Sequence, residues 1–418
     1  MNIAILTIGN ELTGGRIQDA NAALIARTAR ARGWQVPVML SVGDRTEAIE
    51  GALRHALSLA DAVIVTGGLG PTADDITTAA VAKTFGLDLY TDEVVLAHIR
   101  GLFERYRLKW TENNAKQAQF PAGAEVIPNP TGTAAGFAVR TDGKIVAVIP
   151  GVPAEAQRML PEGVLPLLAR AFPGAAPFVR SRTLKSFGLS EAGVDQALAG
   201  LDFEARGVDV GFYPNFPENH VVLTVRHARE DLAEAELAVA VRTVEARLAR
   251  HIFARDEETL EGVVGALLAE QRKTLAVAES CTGGLIVDRL TDVPGSSRYL
   301  ERGLVTYSNA SKRDLLGVPE DVLQRHGAVS EETARLMAEG VRRIAGTDLG
   351  LASTGIAGPS GGTEEKPVGT VFIALADGRE TLCHRYGFRW NRRRNKVITA
   401  QTALILLLRY LKGEPDDA

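Results

Sequence analysis

The sequence predicts an α/β protein built as successive units, and three observations carry that reading. At 418 residues the chain exceeds what one ordinary core organises, so two or three domains are expected. Its 45% apolar and 23% charged residues are the proportions of a globular chain, not a disordered one. Strand and helix patterns alternate regularly from the start until Pro161, Pro166, Pro173 and Pro177 intervene, after which the elements follow a different order. These breaks place three domains at 1–170, 171–255 and 256–418.

The first unit opens with a continuous apolar run, Ile3–Ile8, which reads as a strand buried on both faces. Asp19 is a helix cap for Asn21–Arg32, and Gly33 is placed to stop that helix. Val36–Val42, Thr46–Leu59 and Ala62–Thr66 continue as strand, helix and strand. Right-handed crossovers in such a βαβαβ chain make the sheet parallel, and ligands then sit at the carboxyl ends of the strands. Beyond the prolines, Ser181–Phe187, a helix from Ser190 to Leu201, strands Val208–Tyr213 and Val221–His227, and a helix from Asp231 to Arg250 form a small α+β unit. The third unit begins with the helix Leu260–Gln271. Strands are expected at Leu275–Ala278, Gly303–Tyr307, Leu349–Ser353 and Val371–Leu375, with an apolar helix ending near Tyr410.

Composition also excludes. Two cysteines, Cys281 and Cys383, cannot make a disulfide framework and point to a reducing compartment. No apolar stretch reaches eighteen residues and Met1–Gly9 lacks a basic leader, so a cytoplasmic protein without a membrane partner is expected. A net charge of −4 gives no whole-molecule attraction for nucleic acid. Ten Lys stand against 37 Arg, so a Lys inside a motif departs from the default cation.

Four strings in the last third carry chemistry. Ala278-Glu279-Ser280-Cys281-Thr282-Gly283-Gly284 follows a strand and opens a helix, which suits a nucleophilic serine near exposed backbone N–H groups. The alternative is that Ser280 or Thr282 merely caps that helix. Gly303-Leu304-Val305-Thr306-Tyr307 leads through Ser308-Asn309-Ala310-Ser311-Lys312 into a short helix that stops at Gly317-Val318-Pro319. Lys312 in a first helical turn is disfavoured as a cation, so a pKa lowered by the helix start and partial burial would make it a general base; the alternative is a solvated lysine. Tyr307 would relay a proton or orient a substrate. Ser353-Thr354-Gly355-Ile356-Ala357-Gly358-Pro359-Ser360-Gly361-Gly362 is a glycine-rich loop whose backbone can approach a ligand, though many such loops are only turns. Arg389-Trp390-Asn391-Arg392-Arg393-Arg394-Asn395-Lys396 crowds cations at a helix start, where an anionic ligand would compensate them. A solvated basic surface is the competing reading.

The first unit carries two more strings. Gly9 to Asn21, including Asn10 and Glu11, links the first strand to its helix. Thr66-Gly67-Gly68-Leu69-Gly70-Pro71-Thr72-Ala73-Asp74-Asp75-Ile76-Thr77 follows the third strand. A glycine loop before a helix cradles phosphate, but two adjacent carboxylates would repel it unless a divalent cation bridges them. Asp74 capping the helix is the competing reading.

These strings together resemble the CinA (competence/damage-inducible) family. AESCTGG, VTYSNASK, GAVSEET, STGIAGPSGGTEEKPVGTV and the terminal Arg cluster are similar, in matching order, to its nicotinamide-nucleotide amidase domain. The N-terminal strings, with Asn129-Pro130-Thr131-Gly132-Thr133-Ala134 and Pro150-Gly151-Val152-Pro153-Ala154-Glu155, resemble its molybdopterin-binding-like domain. Ala156 stands where the family pattern leads us to expect Met. The middle unit resembles its KH-like linker domain, without the GXXG clamp for nucleic acid.

The resemblance implies a three-layer, parallel-sheet first domain, an α+β KH-like middle domain and an α/β amidase domain. It implies Ser280 as nucleophile, Lys312 as base, Tyr307 as assistant, and Thr354 with Gly355 lining the amide site, with Arg392 near the substrate's phosphate and Lys396 as a further substrate contact. The reaction implied is nicotinamide mononucleotide plus water giving nicotinate mononucleotide and ammonia, without a cofactor, in pyridine nucleotide recycling. Cys281 with His326 is the competing nucleophile and base. For the first domain it implies ADP-ribose pyrophosphatase activity with a divalent metal such as Mg, Mn or Co. Asp74, Asp75 and Glu155 are then the metal candidates, and Asn10, Glu11, Gly67, Gly68, Gly70 and Thr133 the substrate contacts. A homodimer acting on small nucleotides, and not on nucleic acid, is expected. The alternative is a non-catalytic molybdopterin or nucleotide binder, or a competence-associated protein.

Overall fold

Strand Ile3–Ile8 is buried along its whole length because its two faces enter two different cores. Ile3 and Ile5 pack with Ala22, Ile25 and Ala29 of the helix Ala20–Ala31, whereas Ala4, Leu6 and Ile8 pack with Ile49 and Leu53 of the helix Thr46–Leu59. Alternate residues of a strand point to opposite faces, so a strand covered on both sides needs an unbroken apolar run. A computed structural model describes residues 1–173 and 178–415, which leaves Pro177 of the boundary prolines outside the described residues. The chain divides into two compact units, Met1–Arg180 with Val225–Glu236, and Ser181–Thr224 with Leu237–Ala418.

The six-stranded sheet of the first unit runs in the order Met39–Val42, Ile3–Ile8, Ala62–Thr66, Lys144–Ile149, Gly136–Thr141, Glu125–Ile127. Met39–Val42, Ile3–Ile8 and Ala62–Thr66 are mutually parallel, as the βαβαβ pattern predicts, and Lys144–Ile149 runs parallel beside Ala62–Thr66. The last two run antiparallel and complete a mixed sheet. Their hairpin turns at Asp142 and Gly143, both with positive φ (45° and 75°), the conformation a two-residue hairpin requires. That Asp-Gly pair is a turn signal the strand-and-helix reading passed over. The strand expected at Val36–Val42 pairs only over Met39–Val42, because Pro37 has no N–H to give a ladder. Asp19 does cap its helix, accepting from Ala22 N at 2.9 Å.

The middle sheet has the order Val208–Asn215, Glu218–His227, Phe178–Ser186, Ile252–Arg255, with helices Glu191–Leu198 and Glu230–Leu248. The C-terminal sheet has the order Leu300–Val305, Leu275–Glu279, Leu349–Gly355, Thr370–Ala376, Thr381–Gly387. Its first three strands are parallel and the others antiparallel. Leu275 and Val277 face a core shared with Leu260, Val264, Leu404 and Leu407, while Ala276 and Ala278 face Met337 and Val341 on the opposite layer. The helix Arg392–Lys412 opens on exposed cations and is buried on every side from Thr399 to Leu408, where it lies inside the first of these cores. Among the described residues, no helix is long and apolar enough to cross a membrane.

Candidate functional sites

The three parallel strands of the C-terminal sheet end side by side, and each hands over to a string singled out above. Ser280 follows Glu279, Thr306 and Tyr307 follow Val305, and Thr354 and Gly355 close their own strand. Carboxyl ends of parallel strands are where an α/β sheet presents its chemistry.

Lys312 is fully buried, and its Nζ donates to Ser280 Oγ at 3.0 Å, to Thr306 O at 2.8 Å and to Tyr307 O at 3.5 Å. The solvated reading of Lys312 is therefore wrong. Ser308 caps the helix Asn309–Leu316, accepting from Ser311 N at 3.0 Å, so Lys312 is the fourth helical residue. Burial brings its pKa down to about 8, because a charged amine loses its water there. The helix start therefore supplies the placement, and desolvation supplies the shift.

Ser280 does not cap a helix either; its N–H donates to Ser353 O at 2.9 Å and its Oγ is left to Lys312. The cap belongs to Glu279, a residue the sequence reading quoted but did not assign. Its buried carboxylate accepts from Gly284 N at 2.9 Å, Ile286 N at 3.1 Å and Val287 N at 2.9 Å. An acidic residue one position before a nucleophile, with two glycines ahead of the helix, is the signal that would have found it. Thr282 is also buried, sharing a hydrogen bond with Ser353 Oγ at 2.8 Å. The Cys281 thiol is buried and pushed up to about 12, which makes it a poor nucleophile at neutral pH. His326 is engaged with Glu332 at 3.0 Å instead.

Tyr307 points outward with 63% of its surface exposed, and its Oη accepts from Arg392 Nη2 at 3.1 Å. Arg392 Nη1 also donates to Gly358 O at 2.7 Å, so this guanidinium ties the tyrosine to the glycine-rich loop. The Thr354 hydroxyl is buried and donates to Ala328 O at 2.7 Å. Lys396 Nζ stands beside Gly283, 3.3 Å from where a β-carbon there would lie. The last helix thus meets the turn that bears the serine.

In the first unit, a cavity of about 530 Å³ opens at the carboxyl ends of the parallel strands. Glu11, Gly67, Gly68, Gly70, Asp75, Thr133 and Glu155 all line it. Gly67 and Gly68 have φ of 108° and 67°, and a β-carbon on them would strike Ile8 O and Thr77 Oγ1, so only glycine fits. Asn10 and Asp74 lie outside the lining. Asn10 N donates to Asp44 Oδ2 at 2.9 Å, and Asn10 Oδ1 accepts from Asp44 N at 3.2 Å. Thr72 Oγ1 donates to both Asp74 Oδ1 and Asp75 Oδ2, each at 2.5 Å. The helix begins only at Thr77 with no side-chain cap, so Asp74 does not cap it. Glu155 accepts from Asn129 Nδ2 at 2.7 Å.

Asp44 was not anticipated. Its pKa is raised, first by burial and then by the nearby charges of Glu11, Asp74 and Asp75, against the lowering effect of its bond from Asn10 N. An Asp just beyond a parallel strand was the available signal. Among the described residues, no three His, Cys, Asp or Glu side chains form a ready metal cage.

Residues 257–411 match the family model "CinA C-terminal domain", residues 4–170 the model "Probable molybdopterin binding domain", and residues 181–254 the model "Damage-inducible protein CinA KH domain". A CinA-like protein of Syntrophus aciditrophicus (strain SB) is 65% identical over 412 residues, covering 98% of each chain. A CinA-like protein of Geotalea uraniireducens (strain Rf4) is 44% identical over 404 residues, covering 97% of this chain and 96% of that one. Among solved structures, the competence/damage inducible protein CihA from Agrobacterium tumefaciens is 40% identical. It matches 37% of this chain and 93% of its own, with a TM-score of 0.36.

Proposed function

The chain belongs to the CinA family, and from that premise we propose that its C-terminal site hydrolyses the amide of nicotinamide mononucleotide. The observation that carries this reading is the buried Lys312–Ser280 contact of 3.0 Å, with the lysine's pKa lowered to about 8. A neutral amine at that distance can take the hydroxyl proton as Ser280 Oγ attacks the carboxamide carbon. Backbone N–H groups of the turn Cys281–Gly283 would stabilise the oxygen that becomes negative. Lys312 then returns its proton to the departing nitrogen, ammonia leaves, and the acyl group stays on Ser280. Water, deprotonated by the same amine, releases nicotinate mononucleotide and restores the serine. Arg392 and Lys396 hold the phosphate, which keeps the ring end of the substrate over Ser280.

The first unit would cleave ADP-ribose at its pyrophosphate. This second activity is supported by the cavity that joins a glycine loop to Glu11, Asp75 and Glu155. Of the three metal candidates Asp75 and Glu155 line the cavity and would hold a divalent cation, since hard cations such as Mg²⁺ take one or two carboxylates and complete their shell with substrate phosphates. Such an ion would neutralise the phosphate charge; Gly67, Gly68 and Gly70 would let the backbone approach it.

The test is to incubate the purified full chain with each nucleotide. Ammonia and nicotinate mononucleotide in equal amounts are the expected products of the first. No ammonia from nicotinamide mononucleotide would overturn the amidase reading.

A further inference from the structure

We propose that Phe216, at the tip of the middle hairpin, is a positioning residue for the basic turn that opens the last helix. The inference rests on the amidase reading of that turn. Strands Val208–Asn215 and Glu218–His227 are adjacent and joined through Phe216 and Pro217. The Phe216 ring meets Trp390 edge-on, centroids 5.2 Å apart at 71°. The Arg394 guanidinium lies over both, 4.8 Å from the Phe216 centroid and 5.3 Å from that of Trp390.

The same turn is fixed from its other side. Asn395 Nδ2 donates to Ala357 O at 3.1 Å and to Trp390 O at 2.9 Å, and Trp390 N donates to Asn395 Oδ1 at 3.1 Å. Arg392 reaches the glycine-rich loop and Tyr307 from that turn. The hairpin makes a second contact one helical stretch further on, where Gln401 Nε2 donates to Glu218 Oε1 at 3.1 Å.

The chemistry of this clamp is specific. Arg392, Arg393, Arg394 and Lys396 repel one another, and the first turn of their helix holds no acidic side chain to balance them. A carboxylate would fix Arg394 but would also cancel charge that an anion needs. An aromatic face attracts the guanidinium through its quadrupole and carries no net charge. The hairpin therefore orders the turn while leaving its positive field intact for the phosphate. Arg394 is held away so that Arg392 and Lys396 can face the site.

In the full chain, Phe216→Ala should raise KM for nicotinamide mononucleotide about two- to tenfold, the range of one cation–π contact, with kcat unchanged. Hydrolysis of the riboside, which has no phosphate, should not change. Phe216→Tyr should restore the wild-type KM, and Phe216→Leu, which fills the space without a π face, should not. The Kd of nicotinamide mononucleotide on a Ser280→Ala background should rise by the same factor, without depending on turnover. A wild-type KM in Phe216→Ala, an equal loss on the riboside, or recovery by Leu overturns the clamp. An active wild type with any of these results leaves the amidase reading standing, whereas a wild type that releases no ammonia but binds the mononucleotide more tightly than Phe216→Ala sinks the amidase and keeps the clamp. No measurable binding of the mononucleotide overturns both.

Discussion

The two candidate sites occupy the same place on their sheets, the carboxyl ends of parallel strands, yet they differ in how complete they are. At the C-terminal site the groups closest to the serine are paired, Lys312 on Ser280 and Thr306 O, Glu279 on three backbone N–H groups and Thr354 on Ala328 O, and Thr306 Oγ1 is buried without a hydrogen-bond partner. At the N-terminal site the groups oppose one another. Asp44 is raised partly by Glu11, Asp74 and Asp75, and the cavity-lining Asn21 and Gln117 each leave a buried amide oxygen without a hydrogen-bond partner. Unsatisfied buried acceptors and mutually repelling carboxylates cost stability. The comparison separates a site whose serine and lysine are already in contact from one whose carboxylates raise a neighbour's pKa.

That contrast breaks most directly at the nucleophile. Ser280→Ala should reduce ammonia release to background, whereas Cys281→Ala should retain most of it, because a thiol with a pKa of about 12 is protonated at neutral pH. The reverse pattern would move the chemistry to Cys281. Next in size is metal dependence. A chelator should suppress ADP-ribose cleavage by the full chain and leave amide hydrolysis untouched. Equal sensitivity of the two activities would erase the distinction between the sites.

Lys312→Met keeps much of the side chain's length without its amine, and turnover should fall by about 10² or more, the usual share of a general base. The wild-type rate should rise with pH through an apparent pKa of about 8, since only the neutral amine accepts a proton. Stability carries the same sign. Between about 8 and about 10.4 the unfolded chain holds this proton and the folded chain has lost it, so stability should rise with pH relative to Lys312→Met. A flat rate between pH 6 and 9 would return the lysine to a structural role.

Much of this was legible in the chain because the responsible signals are local. Ile3–Ile8, Ala62–Thr66 and the cap at Asp19 follow from periodicity and one side chain each. What escaped depends on how the fold surrounds a residue. Glu279 looks like an ordinary acidic residue until the turn brings Gly284, Ile286 and Val287 back onto its carboxylate. Lys312 was expected to feel both the helix start and partial burial, and burial is the larger force on its pKa, whose extent no window of sequence displays. Asp44 and Asn10 join across 34 positions, and the hairpin at Asp142-Gly143 needed attention to turn chemistry more than to apolar pattern.

Recognition of the phosphate gives a smaller expected effect than the chemistry does. Losing a charge-assisted contact costs about 1.5–3 kcal/mol, so Arg392→Ala should raise KM for nicotinamide mononucleotide roughly ten- to a hundredfold. Hydrolysis of the riboside should barely change. Equal losses on both substrates would assign Arg392 to the loop at Gly358 instead, and the phosphate to Arg389, Arg393 or Lys396.

The smallest effect is expected at Tyr307, and it decides between relay and orientation. Its phenol is exposed and accepts only from Arg392, while the group near Lys312 is its backbone carbonyl, which any residue supplies. Tyr307→Phe therefore removes one exposed hydrogen bond, worth about 0.5–1.5 kcal/mol, or roughly a two- to tenfold change. The loss should fall on KM, because an Arg392 released from the phenol spends more time away from the phosphate. Combined with Arg392→Ala it should add almost nothing, since both changes act through one contact. A relay would behave differently: kcat would fall by a factor of ten or more and the rise near pH 8 would shift, even with Arg392 already removed. That outcome would bring the phenol into the proton path, beyond the Lys312–Ser280 pair already in contact.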